Sequence, residues 1–158
     1  MLIKTLGAAV QGIDAILVTI EVSVEQGISY CIVGLPDAAV RESHQRVQSA
    51  LKQSGQEYPR RRVVINMSPA DVKKEGAAYD LPIAVGILAA DGKIAADALD
   101  GYMVMGELSL DGSVLPIRGV LPMAIKAREM GLRGMIVPRG NATEAAVVDR
   151  LDVYGVDS

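Results

Sequence analysis

The alternation of apolar and polar positions divides this chain into strands and helices. Val18, Ile20, Val22 and Val24 alternate with Thr19, Glu21 and Ser23, the period-two pattern of a half-buried strand over residues 13–24. Gly7 to Gly12 predicts an earlier strand or hairpin feeding it. Glu25-Gln26-Gly27 predicts a turn, after which Ile28 to Val33 returns antiparallel. Gly34-Leu35-Pro36 stops that run, and Asp37 supplies a helix N-cap. In the helix it opens, Val40, His44, Val47 and Leu51 share one face of a 3.6-residue period. Arg41, Glu42, Gln45, Arg46 and Lys52 cover the other face, Glu42 and Arg46 are spaced as an i,i+4 pair, and Gly55 ends the helix.

Further on, Arg62 to Met67 reads as a β-branched strand closed by Ser68-Pro69. Pro82 opens a helix through Ala90 that is apolar nearly all round, which places it in the centre of the fold. Tyr102 to Leu110 and Ser113 to Ile117 read as strands joined at Asp111-Gly112, a turn that needs positive φ. Val120, Met123, Ala124, Ala127 and Gly131 line one face of the next helix, and Met135 to Val137 forms another strand. Asn141 with Glu144 has the spacing of a capping box for a last helix over 142–149, and Leu151 to Val156 is a final strand. Strands first, then helices and strands in alternation, predict one α/β (α+β) domain over residues 1–158, a mixed sheet with packed helices rather than a doubly wound nucleotide fold.

Composition narrows the function classes. At 158 residues, half of them apolar, with five Tyr and no Phe or Trp, the chain can bury an aliphatic core. The net charge of −3 carries no global signature of nucleic-acid binding, so any basic surface must be local. Cys31 is the sole cysteine and lies in the apolar run 28–33. It can form neither an internal disulfide nor a CxxC zinc site, and the expectation is a buried structural thiol in a reducing cytosol. Met1-Leu2-Ile3-Lys4 lacks a signal-peptide core, and the longest apolar run, Leu81 to Ala90, falls short of the roughly 20 residues that span a bilayer. A soluble cytoplasmic protein with no membrane partner is expected.

Most chemical constellations are missing. There is no GxxxxGK(S/T) and no GxGxxG. The strand-to-helix turn Val33-Gly34-Leu35-Pro36-Asp37 has one glycine, a proline without a donor and an acidic cap, so it does not hold ATP. The lone His44 has no metal-ligating companion. Asp71, Glu75, Asp80 and Glu107 are the carboxylates that could gather around Mg²⁺, but no spacing demands it, and capping or solvated roles account for them. Ser68, Ser109 and Ser113 lie beside strands and turns without a GxSxG elbow. The basic block Arg60-Arg61-Arg62, with Lys52, Lys73 and Lys74 at nearby element ends, is a candidate contact for a nucleic-acid backbone or an acidic partner. Arginines guarding an aggregation-prone strand are the plainer reading, and with no aromatics interleaved the block offers no base stacking.

Three segments together carry a resemblance. They are Gly34-Leu35-Pro36-Asp37-Ala38-Ala39-Val40-Arg41-Glu42-Ser43; Asn66 to Asp71 with Lys73-Lys74-Glu75-Gly76 and Tyr79 to Ala84; and Gly106-Glu107-Leu108-Ser109-Leu110-Asp111-Gly112 leading into Val114 to Pro122. In this order they resemble the N-terminal domain of the ComM/YifB family of magnesium-chelatase-like AAA+ proteins. The resemblance implies a ribosomal protein S5 domain 2-like, Lon-protease-like fold and an AAA+ ATPase module beyond Ser158. ATP and Mg would be bound there, with no cofactor in this domain. It also implies a hexamer that drives DNA branch migration in natural transformation.

More distantly, Asp80-Leu81 resembles the Lon-like domain of the recombination protein RadA. Lys74 to Leu81 is similar to the Lon segment that holds the nucleophilic serine, and Leu115 to Met123 to the one that holds its lysine partner. Those positions are Ala78 and Met123 here. A Ser-Lys dyad needs a hydroxyl and an amine, so the resemblance implies no peptide cleavage and shifts the expected role to ring assembly and DNA engagement. Met123 shares its helix face with Val120, Ala124 and Ala127, so the vacated position is expected to be filled by side chains. Two alternatives stay open: a peptidase with a displaced nucleophile, Ser109 or Ser113 with Lys126, and an adaptor that binds another protein through the Lon-type groove.

Overall fold

The first two strands set the frame on which the helices pack. The computed structural model describes residues 1–158. Strand β1 (Leu2–Gln11) turns at Gly12 into β2 (Asp14–Glu25), in antiparallel register from Leu2↔Ser23 to Gln11↔Asp14. β1 is longer than the Gly7–Gly12 expectation. The inward residues of β2, Val18, Ile20, Val22 and Val24, are fully enclosed, as their alternation requires.

Strand β3 (Ser29–Val33) runs opposite to β2 but is not paired with it, contrary to the simple return expected. After helix α1 (Ala38–Gln53), strand β4 (Arg62–Ser68) inserts between them, antiparallel to β2 and parallel to β3. The reason lies in the side chains. Val63, Ile65 and Met67 of β4 are fully buried, whereas Ser29, Cys31 and Val33 of β3 are exposed, so the less apolar strand takes the sheet edge. Cys31 is therefore an exposed edge-strand thiol, not a buried one.

Helix α2 (Asp80–Ala90) is buried on nearly every side, as its all-round apolar character predicts. Beyond it the expected strand Tyr102–Leu110 splits into β5 (Tyr102–Val104) and β6 (Glu107–Leu108). The backbone leaves the sheet at Gly106 because its N–H goes to Ala78 O and its carbonyl to Leu81 N–H, contacts that anchor α2. The return strand β7 is only Val114–Leu115, and Pro116 follows it.

Helix α3 (Val120–Glu129) buries Val120, Met123, Ala124 and Ala127 as expected, while Gly131 lies exposed beyond its end. Strand β8 (Gly134–Pro138), a 3-10 turn (Arg139–Asn141), the short helix α4 (Ala142–Ala145) and β9 (Asp152–Val156) complete the chain. The expected helix 142–149 is thus cut to one turn. Asn141 does not cap it, because its side chain is occupied by the N–H and carbonyl of Ile117, both at 2.9 Å. Glu144 instead accepts from Leu121 N–H at 3.3 Å, serving the start of α3.

The main sheet has seven strands in the order β3-β4-β2-β1-β5-β8-β9, and β6 and β7 form a separate hairpin. This is the expected mixed α/β, α+β architecture, consistent with a Lon-like fold. No helix is long and apolar enough to cross a membrane.

Candidate functional site

The three motif segments, far apart in sequence, are laced into one wall around Ala78. Asp37 N–H donates to Lys74 O at 2.9 Å and Lys74 N–H to Leu35 O at 3.0 Å. The Asp37 carboxylate accepts from Val40 N–H at 2.8 Å and from Gly76 N–H at 3.0 Å, so it caps α1 and pins the second segment at once. The third segment closes from the other side, with Gly106 N–H on Ala78 O at 2.8 Å and Leu81 N–H on Gly106 O at 2.9 Å. Gly34 must be glycine here: its φ is +106°, and a Cβ would lie 2.1 Å from Met67 O.

Lys74 is not a surface contact. Its side chain is fully enclosed and its ammonium donates to Gly34 O at 2.6 Å and to Pro69 O. Burial lowers its pKa from the usual lysine value, with Asp71 acting in the opposite direction. The residue expected among the nucleic-acid contacts is thus a clip between the first two motif segments.

Arg46 also has a role its place on the helix surface does not announce. Its Nε donates to Asp80 Oδ2 at 2.6 Å, and Nη2 to Asp80 Oδ1 at 3.0 Å and Ala39 O at 2.7 Å, while Glu42 stands at 3.8 Å. Leu108 N–H donates to the same Asp80 Oδ2 at 3.1 Å. Burial raises the Asp80 carboxyl, against the lowering pull of Arg46 and of the Leu108 N–H, and the Asp80 carboxylate raises the Arg46 guanidinium in return. One buried ion pair thereby ties α1, α2 and β6 together.

Ala78, half-buried against the core, immediately precedes this clamp. Its neighbour Tyr79 is buried and donates its hydroxyl to Ala8 O of β1 at 3.1 Å; burial pushes that phenol well above its usual pKa. Gly119, just before α3, packs on the same strand, where a Cβ would meet Val10 Cγ2 at 2.8 Å. Met123, one turn on, is 3% exposed in the core, so the position similar to the Lon lysine is filled by packed side chain. A cavity of about 240 Å³ nearby is lined by Val10, Lys73, Glu75 and Tyr79, and Lys73 pairs with Glu75 at 3.5 Å. The displaced dyad is not assembled. The Lys126 ammonium pairs with Glu129 at 3.2 Å and no hydrogen bond joins it to Ser109 or Ser113. The Ser113 N–H donates to Asp111 at 2.9 Å and holds that carboxyl below its usual range.

Of the carboxylates weighed for Mg²⁺, Asp80 is held by Arg46, Glu75 pairs with Lys73, and Asp71 is exposed; no three metal-ligating side chains cluster anywhere. At the strand-to-helix turn the Asp37 carboxylate itself occupies the N-terminus of α1.

The basic residues divide into two groups. Lys52 and Arg60 line one depression of about 460 Å³, Arg60 and Arg61 line a second of about 440 Å³, and Arg62 is exposed at the start of β4. Lys73 lies apart from them, beside Ala78's segment. The sequence pattern did not disclose the aromatics that join the first group. Tyr30 stacks on His44 at 3.8 Å and 2°, and Tyr58 lies against His44 at 5.5 Å and 44°. Burial raises the Tyr30 phenol to about 12 and lowers the His44 imidazole. Only the closeness of Tyr58 to Arg60 in sequence could have hinted at this.

A family model of subunit ChlI of Mg-chelatase matches residues 20–141. Competence protein ComM of Haemophilus influenzae is 42% identical over 147 residues, which is 92% of this chain and 29% of that protein. The uncharacterized protein YifB of Escherichia coli is 40% identical over 142 residues, 89% of this chain and 28% of its own. Lon protease 2 of Bacillus subtilis is 32% identical over 84 residues, 53% of this chain and 14% of the protease. The chain spans less than a third of the length of the curated relatives it matches.

Proposed function

The chain belongs to the family of subunit ChlI of Mg-chelatase, with ComM and YifB among its relatives, and on that footing we propose that it is the non-catalytic Lon-like domain of a ComM/YifB-type AAA+ ATPase. The observation that carries the reading is the filled dyad. The three motif segments are hydrogen-bonded into a wall around a methyl group at Ala78, and the Met123 thioether lies packed in the core. A wall so closely hydrogen-bonded around a site without nucleophile or base has a structural or docking use. In this reading ATP and Mg are bound by an AAA+ module beyond Ser158. The domain supports a cytoplasmic hexamer of the whole chain, and its basic face, Lys52 with Arg60, Arg61 and Arg62, guides DNA during branch migration.

Two measurements test this. Purified protein incubated with a fluorogenic peptide library should give no turnover above buffer; turnover abolished by Ser109→Ala or Ser113→Ala would overturn the non-catalytic assignment. Neutralising Arg60, Arg61 and Arg62 to Gln should weaken DNA binding at low salt and flatten its salt dependence, by about one unit of slope for each phosphate no longer neutralised. Equal affinity of the two proteins would show that the basic face does not engage DNA.

A further inference from the structure

The aromatic residues and the free arginines form one trough, and its chemistry is more specific than a basic patch. Three depressions meet along the segment 58–61, and Tyr58 and Arg60 line all three. The one of about 440 Å³ is lined by all three of Tyr30, His44 and Tyr58, together with Arg60 and Arg61. The rings come from three elements: Tyr30 from β3, His44 from α1 and Tyr58 from the segment leading to β4. They are arranged as a parallel stack with a tilted third member. Burial lowers the His44 imidazole pKa, which favours the neutral ring over the cation.

The charges around the trough are uncommitted. None of Lys52, Arg60, Arg61 and Arg62 lies within 4 Å of a carboxylate, although the chain as a whole carries −3. Of the acids lining the depressions, Asp91 pairs with Lys93 at 3.5 Å, whereas the Glu57 carboxylate pairs with no cation and is outnumbered by Lys52, Arg60 and Arg61. The occupant must therefore be anionic, and it must bring flat apolar faces to meet the rings. Single-stranded nucleic acid has both, a phosphate at every step and unstacked bases that can lie on aromatic side chains. Duplex DNA keeps its bases stacked and could use only the arginines.

We propose that the trough formed by Tyr30, His44, Tyr58, Arg60 and Arg61 binds single-stranded nucleic acid, stacking a base on the aromatic wall and seating the flanking phosphates on the arginines. This rests on the reading that the domain engages DNA, and names the strand form and the residues that do so. The tyrosine fluorescence of this Trp-free chain supplies the probe. Oligo(dT) titrated into the 158-residue chain should quench it, and a blunt duplex of the same length should not.

Tyr58→Leu should weaken oligo(dT) binding roughly tenfold while leaving duplex affinity within about twofold, and Tyr58→Phe should bind as wild type. Thermal unfolding of both variants identifies any effect that comes from lost folding, and Tyr30→Leu supplies an independent second site. Unchanged oligo(dT) affinity in both Leu variants, with binding abolished in Arg60→Gln/Arg61→Gln, would overturn the stacking proposal and leave the basic face standing. Absence of salt-sensitive binding to either DNA would overturn both.

Discussion

Replacing Arg46 with alanine isolates the interaction that holds the motif segments together. The Asp80 side chain is wholly inaccessible and its carboxylate has three donors, two from Arg46 and one from Leu108 N–H. Arg46→Ala removes three hydrogen bonds, the two to Asp80 each worth about 1.5–3 kcal/mol, and strands a buried carboxylate. Breaking a buried pair from one side generally costs about 3–5 kcal/mol. The Arg46 side chain is 20% exposed, so water can enter its place, and the expected loss is near the lower end, about 3 kcal/mol. Urea unfolding followed by far-ultraviolet circular dichroism measures it.

The pH dependence of that loss follows from the burial of Asp80. Burial already raises this carboxyl above the ordinary aspartate value, and without Arg46 it rises further. A carboxyl with a raised folded-state pKa binds more protons folded than unfolded, so the variant recovers stability as pH falls through that value. The cost of Arg46→Ala should therefore be smaller at pH 5 than at pH 8. Adding Asp80→Asn should restore part of the loss, because the stranded charge is gone. A cost below about 1 kcal/mol, or a double variant as impaired as the sum of the singles, would show that Arg46 does not neutralise a buried Asp80 charge.

Three further outcomes are expected. Met123→Lys puts an ammonium at a 3% exposed position and should destabilise by about 3 kcal/mol or more; since burial depresses the lysine pKa, the penalty should shrink toward pH 10, and calorimetry at two pH values checks it. Lys74→Met leaves the Gly34 and Pro69 carbonyls without their ammonium donor and should cost about 2 kcal/mol in urea unfolding, with faster hydrogen exchange at Lys74 and Asp37 N–H, the amides that join the first two segments. His44 is depressed by burial, so its contribution is present above its unfolded pKa of about 6.5 and is lost as pH falls through the lower folded value. His44→Gln should flatten the stability profile between pH 7 and 5 relative to wild type.

What the sequence revealed followed the range of the interactions involved. The strand β2 and the buried face of α3 were legible because each apolar position reports its own burial. The Asp37 cap was legible because it acts within one turn. The neighbour of β3 was not, since a strand's partner depends on which other strand offers a more apolar edge. Asn141 and Glu144 have capping-box spacing, but Ile117 and Leu121 compete for the same side chains. Lys74 stands in a charged run indistinguishable from a surface loop, and its two carbonyl acceptors come from turns that meet it only in the fold. Arg46 and Asp80 are 34 residues apart, with nothing local to pair them. No aromatics interleave Arg60, Arg61 and Arg62 in the sequence; folding places Tyr30 and His44 beside Tyr58 and so supplies them.

The domain is proposed to act in assembly and not in cleavage. Native mass spectrometry of the full-length protein, with and without residues 1–158 and in the presence of a non-hydrolysable ATP analogue, tests it most directly. A role in assembly predicts a hexamer for the intact chain and predominantly smaller species for the truncated one. Hexamers of equal abundance from both would contradict it.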